Sequence, residues 1–146
     1  SIDEIMNGVN AMLERYYRFE VPLKPGVAEL LERLRQDGVK LCIATATDRH
    51  LVEAALDRCG VLSCFGEIFT CNEVGHGKDE PDIFEEALRF LGTRKEETLV
   101  FDDALYAVRT AKEAGFPVVA VYDSHEKEQD KVRLLADIYL KLEEME

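Results

Sequence analysis

Short apolar segments alternate with amphipathic segments along most of the chain, and this alternation limits the possible folds more than any other feature. β-prone stretches without polar alternation predict strands at residues 39–45, 67–71, 98–102 and 117–122, with a short edge strand at 137–140. Helical periodicity predicts helices at residues 25–38, 48–59, 81–91, 105–114 and 124–135. Apolar strands that are each followed by a helix predict an α/β fold, a doubly wound parallel sheet covered on both faces.

Composition sets limits on the class of protein. The chain has 146 residues, 47% of them hydrophobic, which is enough for one globular domain with a core. We expect a cytoplasmic protein without a membrane span, because there is neither an apolar run of about 18 residues nor a signal-peptide pattern. The net charge of -12 argues against a nucleic-acid partner, which would require clustered Lys and Arg. A small-molecule substrate is therefore more plausible.

Polar side chains stand where three predicted strands end or in the loops that follow them. Thr45 ends the first strand, Lys78 lies in the loop after the second, and Asp102 and Asp103 end the third. In parallel sheets ligands bind outside the carboxyl ends of the strands. A hydroxyl and an ammonium can hold phosphoryl oxygens, while paired carboxylates are hard oxygen ligands that suit Mg²⁺. The set predicts a site for phosphoryl chemistry.

Each of these residues also has a simpler interpretation. Thr45, Thr47 and Asp48 are all candidate N-caps for the next helix. A single Lys in a glycine-containing loop is usually a surface residue. The acidic pair is harder to explain in this way, because adjacent carboxylates repel unless a cation or hydrogen-bond donors compensate them. The ordered combination favours the functional interpretation over the structural one.

Three segments resemble motifs II, III and IV of the haloacid dehalogenase superfamily: LCIATAT, GKDEPDIFEEAL and LVFDDALYAVRTAKEAGF. PGVAELLERLRQDG resembles the helix before motif II in the phosphatase and β-phosphoglucomutase-like branch. The resemblance covers residues 25–122 and implies a Rossmann-like core. It further implies a Mg²⁺-dependent hydrolase of a small phosphate monoester that acts through an aspartyl-phosphate. A sugar-phosphate mutase of the same family would use the same core residues.

The resemblance also implies a role for each motif residue. Thr45 would hydrogen-bond the transferring phosphoryl group, and Lys78 would neutralise its charge and orient the nucleophile. Thr47 falls where some relatives place a substrate-facing hydroxyl. Asp103 would ligate Mg²⁺ directly, and Asp102 would be a second ligand or an outer-shell partner. The departures from the family pattern, at residues 79–80, Ala104 and Ala107, remove none of these functional groups.

The family's motif I, a strand ending in D-x-D-x-T/V that carries the nucleophile, has no counterpart in the sequence. Asp3 lies in a helical pattern and is a poor candidate. Residues 1–21 instead resemble the last helix of a helical cap and its connection, and residues 22–146 resemble the core without the motif I strand. We therefore expect this chain to be inactive by itself, with two buried strand edges facing a gap that a preceding segment or another chain fills.

Two other classes of protein share some of these features. A receiver-type signalling domain also arranges acidic residues, Thr or Ser and Lys around Mg²⁺, but its acidic pair comes first and its Lys last, the opposite of the order here. A non-catalytic interaction module derived from the phosphatase fold would suit the absence of motif I. We expect a small phosphorylated metabolite as the partner, and the sequence carries no signal of oligomeric state.

Overall fold

The structure is a computed structural model that describes Glu4, Arg18, Glu20, Pro22, Leu23 and residues 26–141. Within residues 26–141 the helices are α1 Val27–Gln36, α2 Arg49–Arg58, α3 Cys71–Val74, α4 Asp82–Leu91, α5 Leu105–Glu113 and α6 Gln129–Leu135. The strands are β1 Cys42–Thr45, β2 Glu67–Thr70, β3 Val100–Asp102, β4 Val118–Val121 and β5 Ile138–Leu140. Short 3₁₀ turns occur at Leu62–Cys64 and Lys95–Glu97. Apart from Glu4, Arg18 and Glu20, the predicted helix and cap remnant at residues 1–21 lie outside the described residues.

All strand pairs are parallel, which confirms the predicted α/β class. β1 pairs with β2, so that Thr45 lies opposite Thr70. β3, β4 and β5 form a second sheet in that order, with Asp102 opposite Ala120. Within residues 26–141, β1 and β3 each have a strand neighbour on one edge only. β1 and β3 contain the segments that resemble motifs II and IV, and the gap predicted from the sequence would lie between them.

One hydrophobic core lies around β4, α4 and α5. Its buried members are Ile83, Phe84, Leu105, Ala107, Val108, Ala111, Phe116, Val118, Ala120 and Val132. Ala44 of β1, Phe69 of β2 and Val100 of β3 pack against this cluster, so both sheets share it. Burying a large apolar side chain contributes roughly 1.5 to 3 kcal/mol, and the shared core therefore holds the two sheets together.

α4 bridges this core because one of its faces is apolar. Ile83, Phe84, Ala87 and Leu91 recur at helical spacing and are buried. The helix begins after Pro81, whose fixed φ suits a helix start. It ends at Gly92, which adopts a left-handed φ of 66° that favours glycine.

Two element boundaries differ from the predictions by three residues or more. The first strand begins at Cys42 rather than at residue 39, and Val39 is 46% exposed. Residues 124–128 form turns, so the last helix begins only at Gln129. The prediction of a helix from residue 124 was wrong. The Glu126 carboxylate accepts the backbone N–H groups of Leu105 and Glu128, and this turn takes the place of the first turn of the predicted helix. Helix α3 was not predicted.

The described helices also bear on membrane insertion. Across the part of the chain that the structure describes, no helix is both long enough and apolar enough to cross a bilayer.

Candidate active site

Thr45 and Thr47 occupy the loop that joins β1 to α2. The Thr45 Oγ1 accepts a hydrogen bond from the Thr47 backbone N–H at 3.0 Å, and this bond shapes the loop. Both threonines line a cavity of about 260 Å³. Its other walls are mostly apolar and include Leu23, Val52 and Leu56. Two hydroxyls thus lie at the carboxyl end of β1, beside a largely apolar pocket.

Two side-chain pairs fasten this loop to the segment after β2. Asn72 donates to the Asp48 carboxylate at 2.7 Å. Arg49 makes two bonds of 3.0 Å to the two oxygens of Glu73, and also bonds to the Ile68 carbonyl. The bonds from Arg49 are the main reason that the pKa of Glu73 is lowered. Asp48 stands at the N-cap position of α2 without capping it, and holds Asn72 instead.

Lys78 reaches from the loop between α3 and α4 to the end of β3. Its Nζ lies 2.8 Å from the Asp102 Oδ2. The pair is well shielded, since the Lys78 side chain is 14% exposed and that of Asp102 is 6% exposed. Removing one partner of a buried ion pair is costly because it leaves the other charge uncompensated. The simpler interpretation of Lys78 as a surface residue was therefore wrong.

The two residues of the acidic pair have different surroundings. The Asp102 Oδ1 accepts from the backbone N–H groups of Asp103, at 2.8 Å, and Ala104, at 3.2 Å. With Lys78 on Oδ2, both oxygens of Asp102 bind protein groups. Asp103 follows directly at the end of the strand and is half-buried. The donors around Asp102 compensate its charge, which explains how two adjacent carboxylates are tolerated here.

Mg²⁺ needs only one or two carboxylates, with waters and substrate phosphate completing its octahedron. The Asp103 carboxylate matches this chemistry. The Asp102 carboxylate is held by Lys78 and by two backbone N–H groups. Among the described residues, no three His, Cys, Asp or Glu side chains gather into a ready-made metal cage. The residues present therefore fit a Mg²⁺ site that is completed by groups from elsewhere, and do not fit a structural metal.

The structure joins Lys78 directly to Asp102 and places Asp103 beside them. The Thr45 hydroxyl bonds within its own loop, not to Lys78 or the acidic pair. Sequence reasoning missed Asn72, which carried no motif signal. It also missed Glu126, whose carboxylate accepts the Leu105 backbone N–H at 2.6 Å.

Comparison with known proteins defines the family. The family model of haloacid dehalogenase-like hydrolases matches residues 3–115 of the chain. The chain belongs to this family. Its motif II, III and IV segments are those that contain Thr45, Lys78 and the acidic pair, so the resemblance found in the sequence is confirmed.

Individual haloacid dehalogenase-like relatives support the assignment. Protein CbbY of Cereibacter sphaeroides is 33% identical over 122 residues, which cover 80% of this chain and 53% of the relative. The validoxylamine A 7'-phosphate phosphatase of Streptomyces hygroscopicus is 32% identical over 103 residues, which cover 70% of this chain and 48% of the relative. A candidate β-phosphoglucomutase of Thermotoga maritima superposes with a TM-score of 0.86 at 27% identity, covering 99% of this chain and 68% of that structure. The chain spans about half the length of these two curated relatives.

Proposed function

We propose that the protein is a Mg²⁺-dependent phosphohydrolase that acts on a small phosphate monoester, the small phosphorylated metabolite expected from the sequence. The observation that carries the proposal is the shielded Lys78–Asp102 pair at the end of β3, directly beside Asp103. A shielded ammonium held at a fixed position can stabilise charge that develops on a phosphoryl group. Phosphoryl transfer depends mainly on such positioning and charge neutralisation.

Each residue of the site has a proposed role. The hydroxyls of Thr45 and Thr47 hydrogen-bond phosphoryl oxygens at the end of β1. Lys78 neutralises the charge of the transferring group, and Asp102 holds the Lys78 ammonium in place. Asp103 would hold Mg²⁺, and Asp102 would be an outer-shell partner. Mg²⁺, when bound, supplies positive charge next to the substrate phosphate.

The proposed mechanism forms an aspartyl-phosphate, and its nucleophile lies outside the described residues. β1 and β3 each offer one strand edge without a neighbour in residues 26–141. We propose that a strand ending in D-x-D-x-T/V pairs between them, which would bring its carboxylates to the strand ends that carry Thr45 and Asp103. Pairing would satisfy backbone groups whose burial without partners costs about 1 to 3 kcal/mol each.

Domain organisation follows the same proposal. Residues 1–21 would form the last helix of a cap and its connection, and residues 22–146 the core. In this interpretation the cap selects the substrate. The cytoplasmic location expected from the sequence stays a prediction.

The direct test is phosphate release by the full-length protein from a panel of small phosphate monoesters that includes sugar phosphates. We expect turnover with Mg²⁺, loss of turnover with EDTA, and recovery when Mg²⁺ is restored. The 146-residue chain tested alone should release no phosphate above background. Absence of both phosphate release and isomerisation across the panel would favour the non-catalytic interaction module instead.

A mutase is the second candidate, favoured by the similarity to the candidate β-phosphoglucomutase of Thermotoga maritima. Both activities would use the same core residues. ³¹P NMR of the reaction products separates them, because a hydrolase yields inorganic phosphate whereas a mutase yields an isomeric sugar phosphate. Conversion without phosphate release would replace the hydrolase proposal with the mutase.

A further inference from the structure

Three consecutive backbone N–H groups after β3 are each held by a carboxylate oxygen. Asp102 accepts the first two, from Asp103 and Ala104. Leu105, the first residue of α5, donates to the Glu126 Oε1 at 2.6 Å. Ala104 stands at the N-cap position and has no side-chain acceptor. Glu126 therefore supplies the cap that the α5 sequence lacks, from a segment 21 residues further along the chain.

The turn after β4 holds Glu126 in place. The Glu126 backbone N–H donates to the Asp123 carbonyl at 3.1 Å, and the Gln129 side chain donates to the Glu126 carbonyl at 3.0 Å. The second carboxylate oxygen of Glu126 accepts the Glu128 backbone N–H at 3.1 Å. These backbone donors, Leu105 first, lower the pKa of Glu126. A negative charge at this position also interacts favourably with the positive end of the α5 dipole.

We propose that Glu126 is a positioning residue for Mg²⁺ binding. It acts through Leu105 on Asp103, the carboxylate two residues before Leu105 that the proposed function assigns to the metal. Asp102 fixes one side of this short loop and Glu126 fixes the other, so the backbone that carries Asp103 is anchored at both ends. The inference rests on the proposed function, because it needs Asp103 to be a Mg²⁺ ligand.

The test compares Glu126→Ala with Glu126→Gln in the full-length protein. Mg²⁺ alone is titrated, and its dissociation constant is followed by backbone amide shifts in NMR spectra. Changes behind a metal ligand typically cost 10-fold to 100-fold in affinity, so we expect about a tenfold weaker Mg²⁺ affinity in Glu126→Ala. Glu126→Gln should stay within about threefold of wild type, because its amide oxygen can still accept the Leu105 N–H. Hydrogen exchange of the Leu105 amide should become faster only in Glu126→Ala.

Asp137 provides the matched control. Its carboxylate accepts the Val118 backbone N–H at 2.7 Å, a contact of the same kind at the start of β4, the end of the strand opposite to the proposed site. Asp137→Ala should lower the melting temperature and leave the Mg²⁺ affinity unchanged. The inference is overturned if Glu126→Ala binds Mg²⁺ like wild type, or if Asp137→Ala weakens binding equally. A wild-type protein that binds no Mg²⁺ overturns the proposed function, and with it this inference.

Discussion

β4 and β1 have similarly apolar sequences but very different burial. In β4, Val118 and Ala120 are fully buried and Val119 is 2% exposed. Every residue of β1 is only half-buried. β4 has a strand on each side, whereas β1 has a neighbour on one side within residues 26–141. The comparison shows that an apolar strand sequence indicates a strand with neighbours on both sides, even where the described residues supply only one. Under the proposed function, a strand between β1 and β3 would give each of them a second neighbour.

The largest expected effect is on the free energy of unfolding when a phenylalanine is removed, compared between β4 and β3. Phe116, next to β4, is 2% exposed, and Phe101 in β3 is 45% exposed. Phe116→Ala should lower the free energy of unfolding by about 3 to 5 kcal/mol, because it opens a cavity in the core. Phe101→Ala should cost about 1 kcal/mol, since little apolar surface is buried. Urea unfolding measures both, and equal losses would contradict the difference in packing.

The second effect is the loss of stability when the Lys78–Asp102 ion pair is broken. This pair joins the loop between α3 and α4 to β3. Asp102→Asn should lower the free energy of unfolding by about 3 kcal/mol, because the Lys78 ammonium stays shielded without its counter-charge. Glu85→Gln is the matched control, since Lys95 and Glu85 form a pair at 2.9 Å that is more exposed. The control should cost less than about 1 kcal/mol. Similar losses in both variants would mean that shielding of the Lys78–Asp102 pair does not increase its contribution to stability.

A smaller effect is expected at the end of β2. The Thr70 Oγ1 accepts the Glu73 backbone N–H at 3.2 Å and caps helix α3. Thr70→Val keeps the shape but loses the acceptor, and should cost about 1 kcal/mol. Thr110→Val is a suitable control, because the Thr110 hydroxyl donates to a carbonyl inside α5 and caps nothing. A loss at Thr70 no larger than that at Thr110 would argue against the capping role.

The smallest effect is a pH dependence of the melting temperature, which arises from Asp137 at the start of β4. The Val118 N–H, and then Lys112, lower the pKa of Asp137 below its ordinary value of 3.8. A carboxyl group whose pKa is lower in the folded than in the unfolded state stabilises the fold at pH values above its unfolded-state pKa. This stabilisation is lost as the pH falls through the folded-state pKa. The difference in melting temperature between wild type and Asp137→Asn should therefore shrink as the pH falls below about 4. A constant difference down to pH 2 would refute this origin.

The sequence predicted what depends on local order. Apolar runs gave the strands, and the acidic pair was correctly placed at the end of β3. Helix α3 could have been found from the T-x-x-E pattern of Thr70 to Glu73, which is a capping box. The contact of Glu126 with Leu105 could not, because it spans 21 residues and depends on how the turn after β4 folds. The Lys78–Asp102 contact, across 24 residues, likewise needs the tertiary fold.

The most direct test of the proposed site is the turnover of Lys78→Gln in the full-length protein, with phosphate release and Mg²⁺ at saturation. Lys95→Gln is the matched control. Lys95 also pairs with a carboxylate, but it lies before β3 and away from the carboxyl ends of the strands. We predict that Lys78→Gln loses at least about 100-fold in kcat while circular dichroism shows it folded, and that Lys95→Gln stays within about twofold of wild type. A folded Lys78→Gln enzyme with wild-type kcat would contradict the assignment of this site.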